Sequence, residues 1–335
     1  MSVGFKVRRS ICRGVVPLAI TALAFSGLVH AQTWPTKPVR LVVPVGAGGT
    51  TDIVARAIGQ ALQQSTGQPF VVDLKPGANG AIGSIEVMRQ PPDGYTLLVG
   101  TASTHGISPA VMPNLGYTTS DFTPIGLLAD SNVALLVSPK LGVKSVKELI
   151  ELAKAKPGYL NYYSSGAGSY THFMSALLEL QAKVKLTHIP YKGFAQAIPD
   201  MISGTTHVAW DSIPSSLPYV KDGRLVALAV SGPKRSTALP DLPTMNEALA
   251  QLGLPGFSSS AWFGLFGPRG MSPELTRRIN EEVNKVLRSP EIQSRFTAMG
   301  LDVVQTTPAE FNNIMQTDVE RWRRIAREAN IKVQE

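Results

Sequence analysis

Val39-Arg40-Leu41-Val42-Val43-Pro44-Val45-Gly46-Ala47-Gly48-Gly49-Thr50-Thr51-Asp52 is the stretch from which the fold can be read. Its first half is apolar and β-branched, bounded by Pro38 and by the glycines that follow Val45, and reads as a strand. From Asp52 to Gln64 the apolar residues Ile53, Ala57, Ile58, Ala61 and Leu62 recur at helical spacing. A strand that passes through a glycine loop directly into a helix is the opening of a βαβ unit.

The same order repeats downstream. Phe70 to Leu74 is a second strand, Pro76-Gly77-Ala78-Asn79-Gly80 a loop, Ala81 to Met88 a helix, and Tyr95 to Gly100 a third strand after the Asp93-Gly94 turn. Val133 to Val137 starts the middle of the chain as a strand. Ser145 and Glu148 have capping-box spacing for a helix that Pro157-Gly158 ends. Asn161 to Ser164 leads into the loop Ser165-Gly166-Ala167-Gly168-Ser169, then a helix through Leu180. His188 to Tyr191, Thr206 to Trp210, Leu225 to Val230 and Ala261 to Phe266 read as further strands, and Ala195 to Ser203 as a helix. Two terminal helices open at Ser272-Pro273 and Thr307-Pro308. In the last, Phe311, Ile314, Met315, Trp322 and Ile325 form an apolar face, with Glu320, Arg321, Arg323 and Arg324 mostly towards water. This grammar predicts parallel βαβ units in doubly wound sheets, with one α/β unit before Asp130 and a similar one after it.

The first 31 residues stand apart. Lys6, Arg8, Arg9 and Arg13 precede an apolar run from Val15 to Val29 that ends in the small residue Ala31, the order of a secretory signal peptide cleaved before Gln32. The run is shorter than the roughly 20 residues of a spanning helix. Cleavage removes Cys12, the one cysteine, and leaves 304 of the 335 residues with 28 basic and 24 acidic side chains, a net charge of +4. Neither a disulfide framework nor a thiolate metal site is then possible, and the charge is too mild for nucleic acid.

Three segments join a strand end, small residues and a helix start: Gly46-Ala47-Gly48-Gly49-Thr50-Thr51-Asp52, Ser164-Ser165-Gly166-Ala167-Gly168-Ser169, and Tyr191-Lys192-Gly193. Glycine lets backbone approach a ligand, and a helix N-terminus favours an anion such as a carboxylate. Asp52 reads equally as a ligand group and as an N-cap. Dinucleotide binding fails on spacing, because Thr51 holds the place of the third glycine in G-x-G-x-x-G, and no G-x-x-x-x-G-K-[ST] or G-x-S-x-G occurs. His105, His172, His188 and His207 lack metal-ligand spacing and read as hydrogen-bonded structural residues. No catalytic residue, metal site or cofactor is expected.

These loops resemble those of the solute-binding receptors of tripartite tricarboxylate transporters, the Bug family. The resemblance runs over nearly all of the chain after the leader. It rests on Trp34-Pro35, Val43-Pro44 through Asp52, Pro76 to Gly80, Pro92 to Leu97, Ser165 to Ser169 with His172, His188 to Gly193, Asp241 to Thr244, and Trp262 to Leu265. It implies a periplasmic binding protein type II-like α/β fold, with two doubly wound lobes joined by crossing strands and closing on a ligand. The expected boundaries are 1–31 for the signal peptide, 32–130 with 256–335 for one lobe, and 131–255 for the other.

The resemblance further implies a ligand carboxylate held by Gly46 to Asp52 and Ser164 to Ser169. Thr101, Ser103 and His105 would line the same cleft, with Tyr191, Lys192, Gly193 and Asp211 near the ligand's far end. A periplasmic monomer is expected, delivering a small carboxylate solute to a tripartite tricarboxylate transporter permease. A sensing receptor for a carboxylate, or a secreted hydrolase or lyase on the same fold, are the alternatives. The chain departs from the family pattern at Gly46 (usually Pro), Ala176 (usually Glu), Lys183 (usually Gly) and Trp210 (usually Phe), the last expected to reshape the pocket.

Overall fold

Val39, Leu41 and Val43 face one apolar core and Val42 faces another, so β1 (Val39–Val43) is covered on both sides and is apolar except at Arg40. The computed structural model describes residues 1–5, 34–191 and 193–331, and its compact unit is Trp34–Glu335. From residue 6 onward, the expected signal peptide and its cleavage after Ala31 lie outside the described residues.

After β1 come α1 (Thr50–Thr66), β2 (Phe70–Leu74), α2 (Ala81–Met88) and β3 (Thr96–Thr101). A π-helical turn over Ala102–Ile107 leads into the short α3 (Ser108–Val111), and β4 (Phe122–Ser131) follows. With only Asn132 between, β4 continues as β5 (Val133–Val137). Next come α4 (Val146–Ala155), β6 (Asn161–Ser164), α5 (Tyr170–Ala182), β7 (Thr187–Pro190) and α6 (Phe194–Ser203). β8 (Val208–Ser212), α7 (Ile213–Lys221), β9 (Val226–Val230) and α8 (Met245–Ala250) complete this part. The chain ends through β10 (Ala261–Pro268), α9 (Pro273–Leu287), α10 (Pro290–Ala298), β11 (Leu301–Val303) and α11 (Pro308–Glu328).

The strands form two sheets, in the orders β11-β4-β10-β3-β1-β2 and β7-β6-β8-β5-β9. β1 is parallel to β2 and β3, and β6 to β7 and β8, as the βαβ reading predicts. The sheets are nonetheless mixed rather than parallel throughout. β10 runs antiparallel to β3 and β4, and β5 antiparallel to β8 and β9. The reason is connectivity: β4 carries the chain out of the first sheet and β10 brings it back, so the two must point in opposite directions.

Buried Ser231 ties the two crossings together. Its N–H donates to Val133 O (2.9 Å), its Oγ accepts from Val133 N (3.1 Å), and its carbonyl accepts from Ser259 N (2.9 Å). Helix α11 lies across Trp262 and Phe266 of the first sheet through Phe311, while Trp322 packs edge-on against Phe173 of α5 at 5.6 Å.

Four local details differ from the sequence reading. A third opening of this kind, Ser289-Pro290, starts α10, so three helices rather than two follow β10. Ser145 caps α4, but Glu148 reaches the Lys144 N–H, one residue before the cap, instead of closing the box on Ser145. Arg321 is half-buried and hydrogen-bonds Ser258 O, Ser259 Oγ and Asp318, so it does not belong to the solvated face. Trp210 is fully buried and stacks on Phe257 at 5.5 Å; it fills the core behind β8 and not the cleft.

Two stability predictions follow from this geometry. Ser231→Ala leaves the buried Val133 N–H without its acceptor and is expected to cost about 1–3 kcal/mol in a urea unfolding titration. Lys183 ends α5 in the left-handed region (φ 52°), where a side chain costs about 1–2 kcal/mol and glycine costs little. Lys183→Gly gives back part of this as unfolded-chain entropy, so a net gain of about 0.5–1 kcal/mol is expected in the same titration.

Candidate binding cleft

The first loop leaves β1 at Pro44 and enters α1 through Gly48, whose φ of 80° is in the region that only glycine adopts freely. Gly48 N–H donates to Asp52 Oδ2 at 2.9 Å, and Arg56 Nε lies 2.7 Å from Asp52 Oδ1. The N-cap is Gly49, with no side chain capping the helix. Asp52 is therefore not the cap; it fastens the loop from the first turn. The leading amides of α1 are left to whatever lies in front of them, with about half a positive charge at that end.

The second loop repeats the construction. Gly168 has a φ of 78°, and its N–H donates to His172 Nδ1 at 3.1 Å, again four residues on. Ser169 caps α5 by accepting from His172 N (3.3 Å), and Thr171 Oγ1 accepts from Ser165 N (3.0 Å). Because Nδ1 is an acceptor here, His172 is neutral with its proton on Nε2. Burial, with the neighbouring His188, pulls its pKa down to about 4. His188 stacks on His172 at 4.2 Å and places Nε2 2.5 Å from Ser164 Oγ, which holds the base of the loop.

Both loops open onto one cavity of about 700 Å³. Of the residues expected from sequence, Gly46, Thr50, Thr51, Thr101, Ser103, Ser165, Gly168, Ser169 and Asp211 line it. Ala47, Gly48, Gly49, Asp52, Ser164, Gly166, Ala167 and Gly193 shape the loops without lining the cavity. Tyr191 does not reach it, because its hydroxyl is held by Asp200 Oδ2 (2.8 Å) and Thr206 Oγ1 (2.7 Å). Lys192 lies outside the described residues. His105 is fully buried behind the wall, stacked on Phe266 at 4.3 Å, with its Nδ1 against Thr104 Oγ1 (2.9 Å).

The wall also includes Gly77, Asn79 and Gly80, which sequence reasoning treated only as a motif. They follow the carboxyl end of β2, and the rule that ligands sit beyond strand ends would have flagged them. Thr171, Ser212 and Trp262 are further lining residues. A larger hollow of about 900 Å³ lies between Pro109–Tyr117 and the outer side of α11. It draws on the first-sheet half of the chain, and no long helix among the described residues begins in its lining, so the shared cleft is the better candidate.

A model described as the tripartite tricarboxylate transporter family receptor matches residues 54–331. The chain belongs to this receptor family. Protein BugT of Bordetella pertussis is 33% identical over 321 residues, covering 95% of this chain and 97% of that protein. Among solved structures, an R. palustris protein with adipate is 35% identical with a TM-score of 0.79, over 89% of this chain and 99% of that one. MatC from Rhodopseudomonas palustris with bound malate is 32% identical, TM-score 0.74, over 87% and 99%. The periplasmic binding protein BugD is 30% identical, TM-score 0.76, over 90% and 100%. The fold is the two-lobed α/β fold of these binding proteins, and the chain is a solute-binding receptor rather than an enzyme. No helix among the described residues is long and apolar enough to cross a membrane.

Receptor membership leaves buried His105 and half-buried His172 with a structural task, and it has a pH signature. His105 is lowered to about 3 by burial and His172 to about 4, so both are neutral when folded and take up protons on unfolding below the ordinary value of 6.5. Each therefore gives its full stability above pH 6.5 and loses it as the pH falls towards 4 and 3. Asp130 and Asp211, raised by burial to about 6 and about 7, act in the opposite sense over part of that range. The comparison between variants separates them. The melting temperature of His105→Leu minus that of the wild type is expected to grow steadily from pH 7 to pH 4, as read by circular dichroism.

Proposed function

We propose that the cleft captures the carboxylate of a small solute between the N-termini of α1 and α5. One observation carries this reading: two helix starts, each led by a positive-φ glycine and each tied by an acceptor four residues on, meet at one cavity. The remaining wall mixes hydroxyls and glycines with apolar side chains such as Val133, Trp262 and Phe263. Neutral donors suit an anion that must be released again, because no buried arginine has to be desolvated. The relatives solved with adipate and with malate support the same class of ligand.

The assignment of lobes rests on sheet membership. We place 32–130 with 256–335 in one lobe and 131–255 in the other, with the hinge where β4 becomes β5 and where Ser259 returns towards β10. Hinge bending would let the second loop complete the grip begun by the first. We infer export through the leader at 1–31, a monomer in the periplasm, and delivery to a tripartite tricarboxylate transporter permease.

A thermal-shift screen of C4 to C6 di- and tricarboxylates, amino acids and aromatic acids tests the reading. At least one acid is expected to raise the melting temperature, and silence across the whole panel would remove the proposal. Gly168→Ala forces an alanine into the left-handed region and displaces the loop. It is expected to weaken the best acid about 10-fold by calorimetry, or about 1.4 kcal/mol, with the fold retained.

A further inference from the structure

Alternation along β8 sends Trp210 into the core and leaves Asp211 on the cleft wall. Asp211 is the one ionisable side chain among the described residues lining the cavity. Ser215 Oγ donates to its Oδ2, and none of the ion pairs among the described residues includes it. Burial raises its pKa to about 7, against the smaller pull of hydrogen bonds from Ser215 and Ser212. A carboxyl in this position lacks compensation and gains from a donor.

We propose that Asp211 makes the receptor prefer acids that carry a hydroxyl or ammonium group beyond the gripped carboxylate over unsubstituted diacids of the same length. The inference rests on the reading of the cleft as a carboxylate site and goes one step further, to the class of acid. Thr50, Thr51, Ser103, Ser165 and Ser169 offer hydroxyls that donate or accept as required. An ionised Asp211 can only accept. A solute whose first carboxylate sits at the two helix starts therefore shares the cavity with an acceptor. A hydroxyl or ammonium group donates to it. A second carboxylate opposes it, and one of the two must take up a proton before they can share the site. Family membership does not decide the matter, since one relative was solved with an unsubstituted diacid and another with a hydroxy acid.

Calorimetry at pH 8 on matched acids decides it: succinate against malate and aspartate, and glutarate against 2-hydroxyglutarate and glutamate. At least one substituted acid is expected to bind about 10-fold or more tighter than its unsubstituted partner. Asp211→Asn keeps an acceptor for Ser215 but removes the charge. It is expected to shrink that preference to within about threefold, with the unsubstituted diacid bound as well as before or better. If diacids bind the wild type as tightly as their substituted partners, or if Asp211→Asn leaves the preference intact, the inference is wrong while the carboxylate reading stands. If no acid binds the wild type at all, both fall together.

Discussion

Ser231 is the point at which the two sheets of the molecule are joined. Its backbone closes the last rung between β9 and the start of β5, its hydroxyl takes the Val133 N–H, and its carbonyl receives the returning chain at Ser259. Ser259 in turn accepts from the Tyr170 hydroxyl (2.9 Å) and from Arg321 (3.1 Å), so the crossing is fastened to the first turn of α5 and to α11. The same few hydrogen bonds that join the sheets therefore also set the position of the second binding loop.

Magnitudes show why two loops are needed. A helix N-terminus contributes about 0.3–1 kcal/mol towards an anion at the surface and up to about 2 when partly buried. Two of them fall well short of the roughly 8 kcal/mol of micromolar binding. Hydroxyls of Thr50, Thr51, Ser165 and Ser169, and exclusion of water as the lobes approach, must supply the larger part. Neither loop alone offers enough donors, and their convergence on one cavity is what the receptor reading requires.

Much of this was legible in sequence because α1, α4 and α11 have clean helical periods, the last two with Ser or Thr caps, and β1 and β5 are mostly apolar. β4 was not, because Pro124 and Gly126 interrupt it. Its main partner is β10, paired Ser131 with Ala261, far along the chain. Pro124 lies opposite Phe266 of β10 at a register shift, an irregularity of the kind that tolerates proline, and β11 covers β4 only from Ala129 to Ser131. His105 was misplaced for a related reason. Thr101, Ser103 and His105 alternate as a strand face would, but Ala102–Ile107 winds into a π-helical turn and sends the imidazole among Tyr117, Phe122 and Phe266.

The match between the two loops is chemical as well as geometric, although their fastening residues differ. An aspartate at the mouth of an anion site would work against it at close range, and a neutral imidazole would not. Arg56 resolves the difference: it stands 2.7 Å from Asp52 Oδ1, so the pair enters the loop close to neutral. His172 reaches the same condition without a counter-charge, because burial beside His188 keeps the proton away. Carboxylate with guanidinium in one half and uncharged imidazole in the other thus arrive at one result, a glycine amide held in place with little net charge behind it. The positive ends of α1 and α5 are then left as the dominant field of that wall, with Asp211 as its one uncompensated acid among the described residues.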